Sequence, residues 1–249
     1  MTVEPDEASP IRIVRIGRPE RRNAINSETA QRLHDELVAF DEDADARVAI
    51  LTGDETSFCA GADLKDLPDL RDSGPLGPTR LQLSKPLIGA IEGWCVAGGV
   101  EMAALCDLRV AGDTARFGCL ERRWGVPLID GGTVRLPRIM GLGRALDLIL
   151  TGREIDAHEA EHLGFVNRVV PAGQALTAAI EVAEGIAASP WTAVLHDRAS
   201  AYEGLDLPLA DALANEDVHG RAVIFDPGFG SGVDRFQQHQ AERRDRGER

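Results

Sequence analysis

Lysine is nearly missing from this chain: of 27 basic residues only Lys65 and Lys85 are lysines, against 41 acidic ones. The formal net charge is −14, which argues against broad binding to nucleic acid or to a membrane surface. No basic patch interleaved with aromatics is present either, so neither kind of partner is expected. A local phosphate handle is still open, and Arg18, Arg21, Arg22 and Lys65 are its candidates. No apolar run reaches the roughly 18 residues of a membrane helix. The opening MTVEPDEASP is acidic and polar, unlike a secretory or transit leader, and a cytoplasmic location is the expectation. Cys59, Cys95, Cys106 and Cys119 form no CxxC and no zinc-type spacing with histidine, so no metal site and no disulfide framework is expected, only buried thiols. A GxSxG elbow is also missing. None of the six histidines (His34, His158, His162, His196, His219, His239) falls in the two small-residue turns or beside the two glutamates described below. No internal repeat is visible.

With 249 residues, 43% of them hydrophobic and 27% charged, the chain can build one large domain with an appended helical tail. Ile11 to Ile16 alternates apolar and charged residues and predicts a half-buried strand. Asn26-Ser27 predicts the cap of a helix from Glu28 to about Phe40, with Leu33, Leu37 and Phe40 on one face. Val48 to Thr52, Leu87 to Ile91 and Leu108 to Ala111 are expected strands, and a helix is expected to start near Gly98. The segment 67–83, with three prolines and two glycines, reads as a mobile loop with a helical turn. Alternating strand and helix implies parallel strands joined by crossovers. After about Gly131 the β signal fades, and helices are expected over 138–150, 157–163, 174–188, 190–202 and 208–223. The tail from Phe225 is glycine-rich, and Glu242 to Arg249 is strongly charged, a composition that frays.

Two segments carry chemistry. In Ala97-Gly98-Gly99-Val100-Glu101 the glycines open a helix, so free N–H groups and the helix dipole favour a developing negative charge. Phe58-Cys-Ala-Gly-Ala-Asp-Leu64 offers a second small-residue turn where backbone can approach a ligand. Backbone donors aimed at one oxygen stabilise an oxyanion without reorganising. Two glutamates, Glu101 and Glu121, lie twenty residues apart, and paired carboxyl groups in one site can activate water and exchange a proton. Taken singly, Glu101 also reads as a dipole-favoured first-turn residue, and Glu121 as a surface partner of Arg122 and Arg123.

These segments, with RPERRNAIN, ARFGCLE, GGTVRLPRIMG and LTGREIDAHEAEHLGFVNRVVP, resemble the crotonase (enoyl-CoA hydratase/isomerase) family from roughly Arg12 to Tyr202. The resemblance implies an α/β fold, a crotonase-like ββα spiral core over 1–190, followed by a C-terminal helical region and charged tail over 191–249. It implies an enoyl-CoA hydratase of fatty-acid metabolism that adds water to 2-enoyl-CoA, with no metal or redox cofactor; CoA belongs to the thioester substrate. The Ala62 and Gly98 N–H groups would hold the carbonyl oxygen, Glu101 would activate water, and Glu121 would exchange the α-proton. Arg22, Ala24, Ala60, Asp63, Leu64 and Lys65 map onto the substrate-binding segments. A homotrimer, or a hexamer built from two trimers, is also implied. Isomerisation of enoyl- or dienoyl-CoA and a catalytically silent acyl-CoA-binding role are the alternatives.

The chain departs from the family after Glu121. Typical hydratases read Pro-Gly-Ala-Gly-Gly-Thr, and this chain reads Pro127-Leu-Ile-Asp-Gly-Gly-Thr133. Ile129 and Asp130 therefore enter the expected substrate site, Asp130 either as an N-cap for the following helix or as a third acid. Trp124 is expected to fill space around the acyl pocket. The ending from Phe225 to Phe236 also replaces the family's usual one.

Overall fold

A computed structural model describes residues 9–226, 228–230, 232–234 and 236–238. The charged segment 242–249 lies outside the described residues. Two compact units divide the chain, Met1–Ala187 and Ala188–Arg249.

The first unit is built on two sheets that the chain visits in turn. β1 (Ile11–Arg15), β2 (Val48–Thr52), β4 (Leu87–Ile91), β6 (Leu108–Gly112) and β9 (Arg168–Val170) form one sheet, in the order β1-β2-β4-β6-β9. Every pair in it is parallel. β3 (Ser57–Cys59), β5 (Trp94–Val96), β7 (Arg116–Gly118) and β8 (Ile155–Asp156) form the second sheet, in that order. The chain passes from β2 to β3, from β4 to β5 and from β6 to β7, so each turn of the path adds a strand to both sheets. That repeated step is the spiral. It puts the C-terminal ends of β3 and β5 side by side, because those two strands pair in parallel.

β2 and β4 are buried along their whole length and read VAILT and LIGAI, the near-continuous apolar runs of parallel strands covered on both faces. One face is covered by α6 (Ala175–Ala187), which presents Ala178, Ala179, Ala183 and Ala187 to Val48, Ile50, Ile88, Ala90 and Val110. Alanine on that stripe lets the helix lie close to the sheet. Glu92 accepts a hydrogen bond from Ala175 N at 2.9 Å and so places a carboxylate at the N-terminus of α6. The other face packs on α1 (Ser27–Glu42) and α2 (Gly98–Leu105), in one cluster that includes Leu33, Leu37, Phe58, Phe117 and Phe165. Asn26 caps α1 by accepting from Thr29 N. At the other end of α1, buried Lys85 donates from Nζ to the Phe40 and Asp43 carbonyls. All four cysteines are buried and free.

Four expectations need correction. The β signal does not end at Gly131, since β8 and β9 follow it, and β3, β5 and β7 were also missed. Each of these five is only two or three residues long, too short for alternation to register. The single helix expected over 138–150 is two, α3 (Gly132–Met140) and α4 (Leu142–Thr151), separated at Gly141 with φ 83°. The segment 67–83 contains turns and no helix, and residues 74–79 are buried without interruption. Finally, Asp130 does not cap α3; Gly131 occupies the cap position and no side chain bonds there.

In the second unit, α7 (Trp191–Glu203) and α8 (Leu209–Ile224) pack on each other. His196 Nδ1 and His219 Nδ1 meet at 3.0 Å, and His219 Nε2 lies 2.9 Å from Glu203. Neither helix buries a single residue.

Candidate active site

The two small-residue turns issue from neighbouring strands. β3 runs into Ala60-Gly61-Ala62, and β5 runs into Ala97-Gly98 at the start of α2. Gly61 adopts φ +88°, and a Cβ built on it would lie 2.8 Å from Gly98 N. The two backbones thus touch, which any side chain at Gly61 would prevent. Ala97 holds φ 54° and ψ −127°, a region other than glycine rarely occupies, and this strained residue aims the first turn of α2. Hydrogen bonds fix the flanks of Ala62: Ile25 N donates to Gly61 O at 2.8 Å, and Asp63 N donates to Ile25 O at 2.9 Å. Neither the Ala62 nor the Gly98 N–H finds an acceptor among the described residues. Two adjacent backbone donors left free are what an oxyanion requires.

Glu101 lies in the first turn of α2 and is 2% exposed. Its Oε1 accepts from Asp130 N at 2.9 Å and from Gly132 N at 2.8 Å. The left-handed Gly131 between those donors, at φ 103°, lets alternate N–H groups converge on one oxygen as a nest. Burial pushes the Glu101 carboxyl up to about 7, with repulsion from Asp130 and Glu121 adding to it and the two N–H bonds opposing it.

Glu121 sits in a 3-10 turn, Leu120–Trp124, just after β7. It is 5% exposed, so it is no surface ion-pair residue. Arg122 and Arg123 turn away and donate to the Ile149 and Gly152 carbonyls. Neither Glu121 oxygen has a hydrogen-bond partner among the described residues. Burial raises this carboxyl's pKa. A buried carboxyl with nothing to bond to is costly to ionise, and its neutral form holds a proton ready to give.

Asp130 is buried, and its Oδ1 accepts from Leu76 N at 3.0 Å and from Thr79 Oγ1. Ile129 beside it is 42% exposed, and Trp124 is 75% exposed. The segments mapped to the substrate come together: Ile25 and Ala62 form a parallel bridge, and Ala60 N donates to Arg22 O at 3.1 Å. Ala24 is buried, Ala60 half-buried, and Arg22, Leu64 and Lys65 are exposed at the rim. Asp63 is committed internally, accepting from Lys65 N and pairing with Arg18 at 3.2 Å.

Several residues were not legible as parts of this site. Arg18 links both ligand-mapped segments, donating to Ala24 O at 2.7 Å while it pairs with Asp63; it had been read only as a possible phosphate handle. Gly61 was visible as one small residue among several in CAGAD, without a role of its own. Gly132 carries a donor to Glu101, and Leu76 and Thr79 reach Asp130 across more than fifty residues. No local pattern encodes such a contact.

A sequence model described as Enoyl-CoA hydratase/isomerase matches residues 6–236. Enoyl-CoA hydratase EchA19 of Mycobacterium tuberculosis is 42% identical over 189 residues, covering 71% of this chain and 71% of that protein. A short-chain-enoyl-CoA hydratase of Clostridium acetobutylicum is 37% identical over 216 residues, covering 83% of each. Among solved structures, an enoyl-CoA hydratase from Mycobacterium tuberculosis H37Rv superposes with a TM-score of 0.89 at 35% identity, covering 94% of both chains.

Proposed function

Because the chain belongs to the enoyl-CoA hydratase/isomerase family, we propose that it adds water across the double bond of 2-enoyl-CoA thioesters to give 3-hydroxyacyl-CoA. The observation that carries this reading is the pair of buried carboxyl groups, Glu101 held in a backbone nest and Glu121 without a partner among the described residues. Hydratase names on the similar proteins of Mycobacterium tuberculosis and Clostridium acetobutylicum point the same way.

In this reading Glu101 takes a proton from water as the water oxygen bonds to the β-carbon. The thioester carbonyl becomes an enolate oxygen, which accepts from Ala62 N–H and Gly98 N–H. Glu121 then gives its proton to the α-carbon, and the two carboxyl groups exchange protons with solvent to reset. A base near pH 7 suits Glu101, whose carboxyl is raised to about 7. The chemistry as written needs no metal or redox cofactor. Arg22 and Lys65, exposed at the rim, are the proposed contacts for the CoA phosphates, one as a fork and the other as a point charge. Acyl-CoA substrates fit a cytoplasmic enzyme, and the chain is proposed to work as a trimer or a hexamer.

Double-bond isomerisation by Glu121 alone is the second reading, favoured by the family's dual name. Loss of the enoyl-thioester absorbance of crotonyl-CoA tests the two together. Wild type is expected to bleach it, and Glu101→Gln and Glu121→Gln are each expected to abolish nearly all turnover. Wild type that leaves crotonyl-CoA unchanged but converts a 3-enoyl-CoA would overturn hydration in favour of isomerisation.

A further inference from the structure

Asp130 stands where the typical hydratase pattern, aligned on Gly131-Gly132-Thr133, has alanine, and it is 3% exposed. A buried carboxyl needs partners, and the partners it has are informative. Its Oδ1 accepts from Leu76 N and Thr79 Oγ1, its own N–H donates to Glu101 Oε1 at 2.9 Å, and its carbonyl accepts from Arg135 Nη1 at 3.1 Å. Arg135 also donates to Thr79 O at 2.6 Å, so the 74–79 segment is tied to this residue from two directions. On its far side the segment presses on α1, since a Cβ on Gly77 would lie 2.1 Å from Ala30 O. Leu76, 1% exposed, points back at the oxyanion turn, with Cδ1 only 2.5 Å from where a Cβ on Gly98 would be.

We propose that Asp130 is a positioning residue: its carboxyl pins the 74–79 segment so that Leu76 walls the oxyanion turn at Gly98, while its backbone N–H holds Glu101. One residue thereby sets the distance between the water-activating carboxylate and the wall of the carbonyl site. An alanine there would supply the N–H and lose the pin. The inference rests on the hydration reading for its kinetic consequence only. Its charge adds a second effect, because a carboxylate beside Glu101 favours the protonated form of Glu101.

The test compares Asp130→Ala with Asp130→Asn by crotonyl-CoA kinetics against pH and by amide hydrogen exchange at Leu76. Asparagine can still accept from Leu76 N and Thr79 Oγ1. Asp130→Ala is expected to lower kcat by about tenfold or more and to speed Leu76 exchange by about tenfold or more. Asp130→Asn is expected to restore both to within about threefold. It should also move the rising limb of the pH profile to lower pH, since the repulsion on Glu101 is gone. Unchanged kinetics and exchange in Asp130→Ala would overturn the proposal. So would an Asp130→Asn as inactive as Asp130→Ala with Leu76 still protected, which would make Asp130 a chemical participant. Should Asp130→Ala fail to fold, Thr79→Val removes one of the two bonds and carries the same exchange readout. A wild type without turnover sinks the hydration reading alone, because the exchange measurement reads the pin directly.

Discussion

Gly61 and Gly98, thirty-seven positions apart in the chain, stand backbone to backbone, and a methyl group on Gly61 would lie 2.8 Å from the Gly98 nitrogen. That contact follows from the parallel pairing of β3 with β5, which delivers both turns to the same edge of the second sheet. It means that the turns carrying the two proposed carbonyl donors touch there, so that a shift of either disturbs the other.

Gly61→Ala is therefore expected to damage the proposed oxyanion site more than the fold. The added methyl also meets φ +88°, so the turn must shift. Loss of one such donor typically costs about 10²- to 10³-fold in kcat, and kcat for crotonyl-CoA should fall into that range while the far-ultraviolet circular dichroism stays native. A variant with wild-type kcat would show that the Gly98 N–H does not hold the carbonyl.

Activity should climb with pH through the Glu101 ionisation. The carboxyl is raised to about 7, and only its ionised form can take a proton from water. The profile of kcat/KM for crotonyl-CoA is accordingly expected to rise up to roughly pH 7. A profile flat from pH 5 to 8 would contradict the assignment of Glu101 as base.

The same group makes a stability prediction of defined sign. Its folded pKa lies above the ordinary value of 4.5, so the folded state holds the proton more tightly than the unfolded chain. Its contribution is best below about pH 4.5 and is lost as pH rises toward 7. Glu101→Gln, neutral throughout, should gain on wild type across that window, by on the order of 2 kcal/mol at pH 8. Urea unfolding at pH 5 and pH 8 measures it, and a difference that shrinks with pH would refute it.

The helices and long strands were readable because each repeats its pattern over several residues: α1 announces itself by Asn26 and by Leu33, Leu37 and Phe40. The spiral was readable only through resemblance, since its second sheet is made of strands of two or three residues. Within the site, the glutamates and the Gly-Gly turn were evident, whereas the burial of Glu121 was not. Two arginines follow it in sequence and suggest a surface, yet both reach carbonyls near the C-terminal end of α4, Ile149 and Gly152. Proline and glycine made 67–83 look loose; Asp130 and Ala30, distant in sequence, are what hold its middle in place.

Arg18 should matter to binding more than to chemistry. It joins Ala24 O to Asp63, and so holds together the two segments expected to carry the thioester. Arg18→Ala leaves the buried Asp63 carboxyl without its counter-charge, a loss of about 2 kcal/mol in stability. KM for crotonyl-CoA is expected to rise several-fold, about five- to tenfold, with kcat changed less. An equal fall in kcat with constant KM would place Arg18 in the chemistry instead.

The second unit carries the prediction about assembly. α7 and α8 together span twenty-nine residues and bury none of them within the single chain. Leu209 and Leu213, one turn apart on the same face of α8, are 76% and 56% exposed. Helices of this length draw most of their stability from a packed apolar face, and contiguous exposed apolar surface marks a place where another surface binds. A second copy of the chain is the proposed occupant, in keeping with the proposed trimer or hexamer. Light scattering on the wild type should then give three or six times the chain's 26.8 kDa. Leu209→Asp with Leu213→Asp should reduce that mass toward one chain, because a charge on an apolar contact surface must be dehydrated to stay there. A wild type of 26.8 kDa, or a double variant that keeps the larger mass, would remove α8 from the assembly.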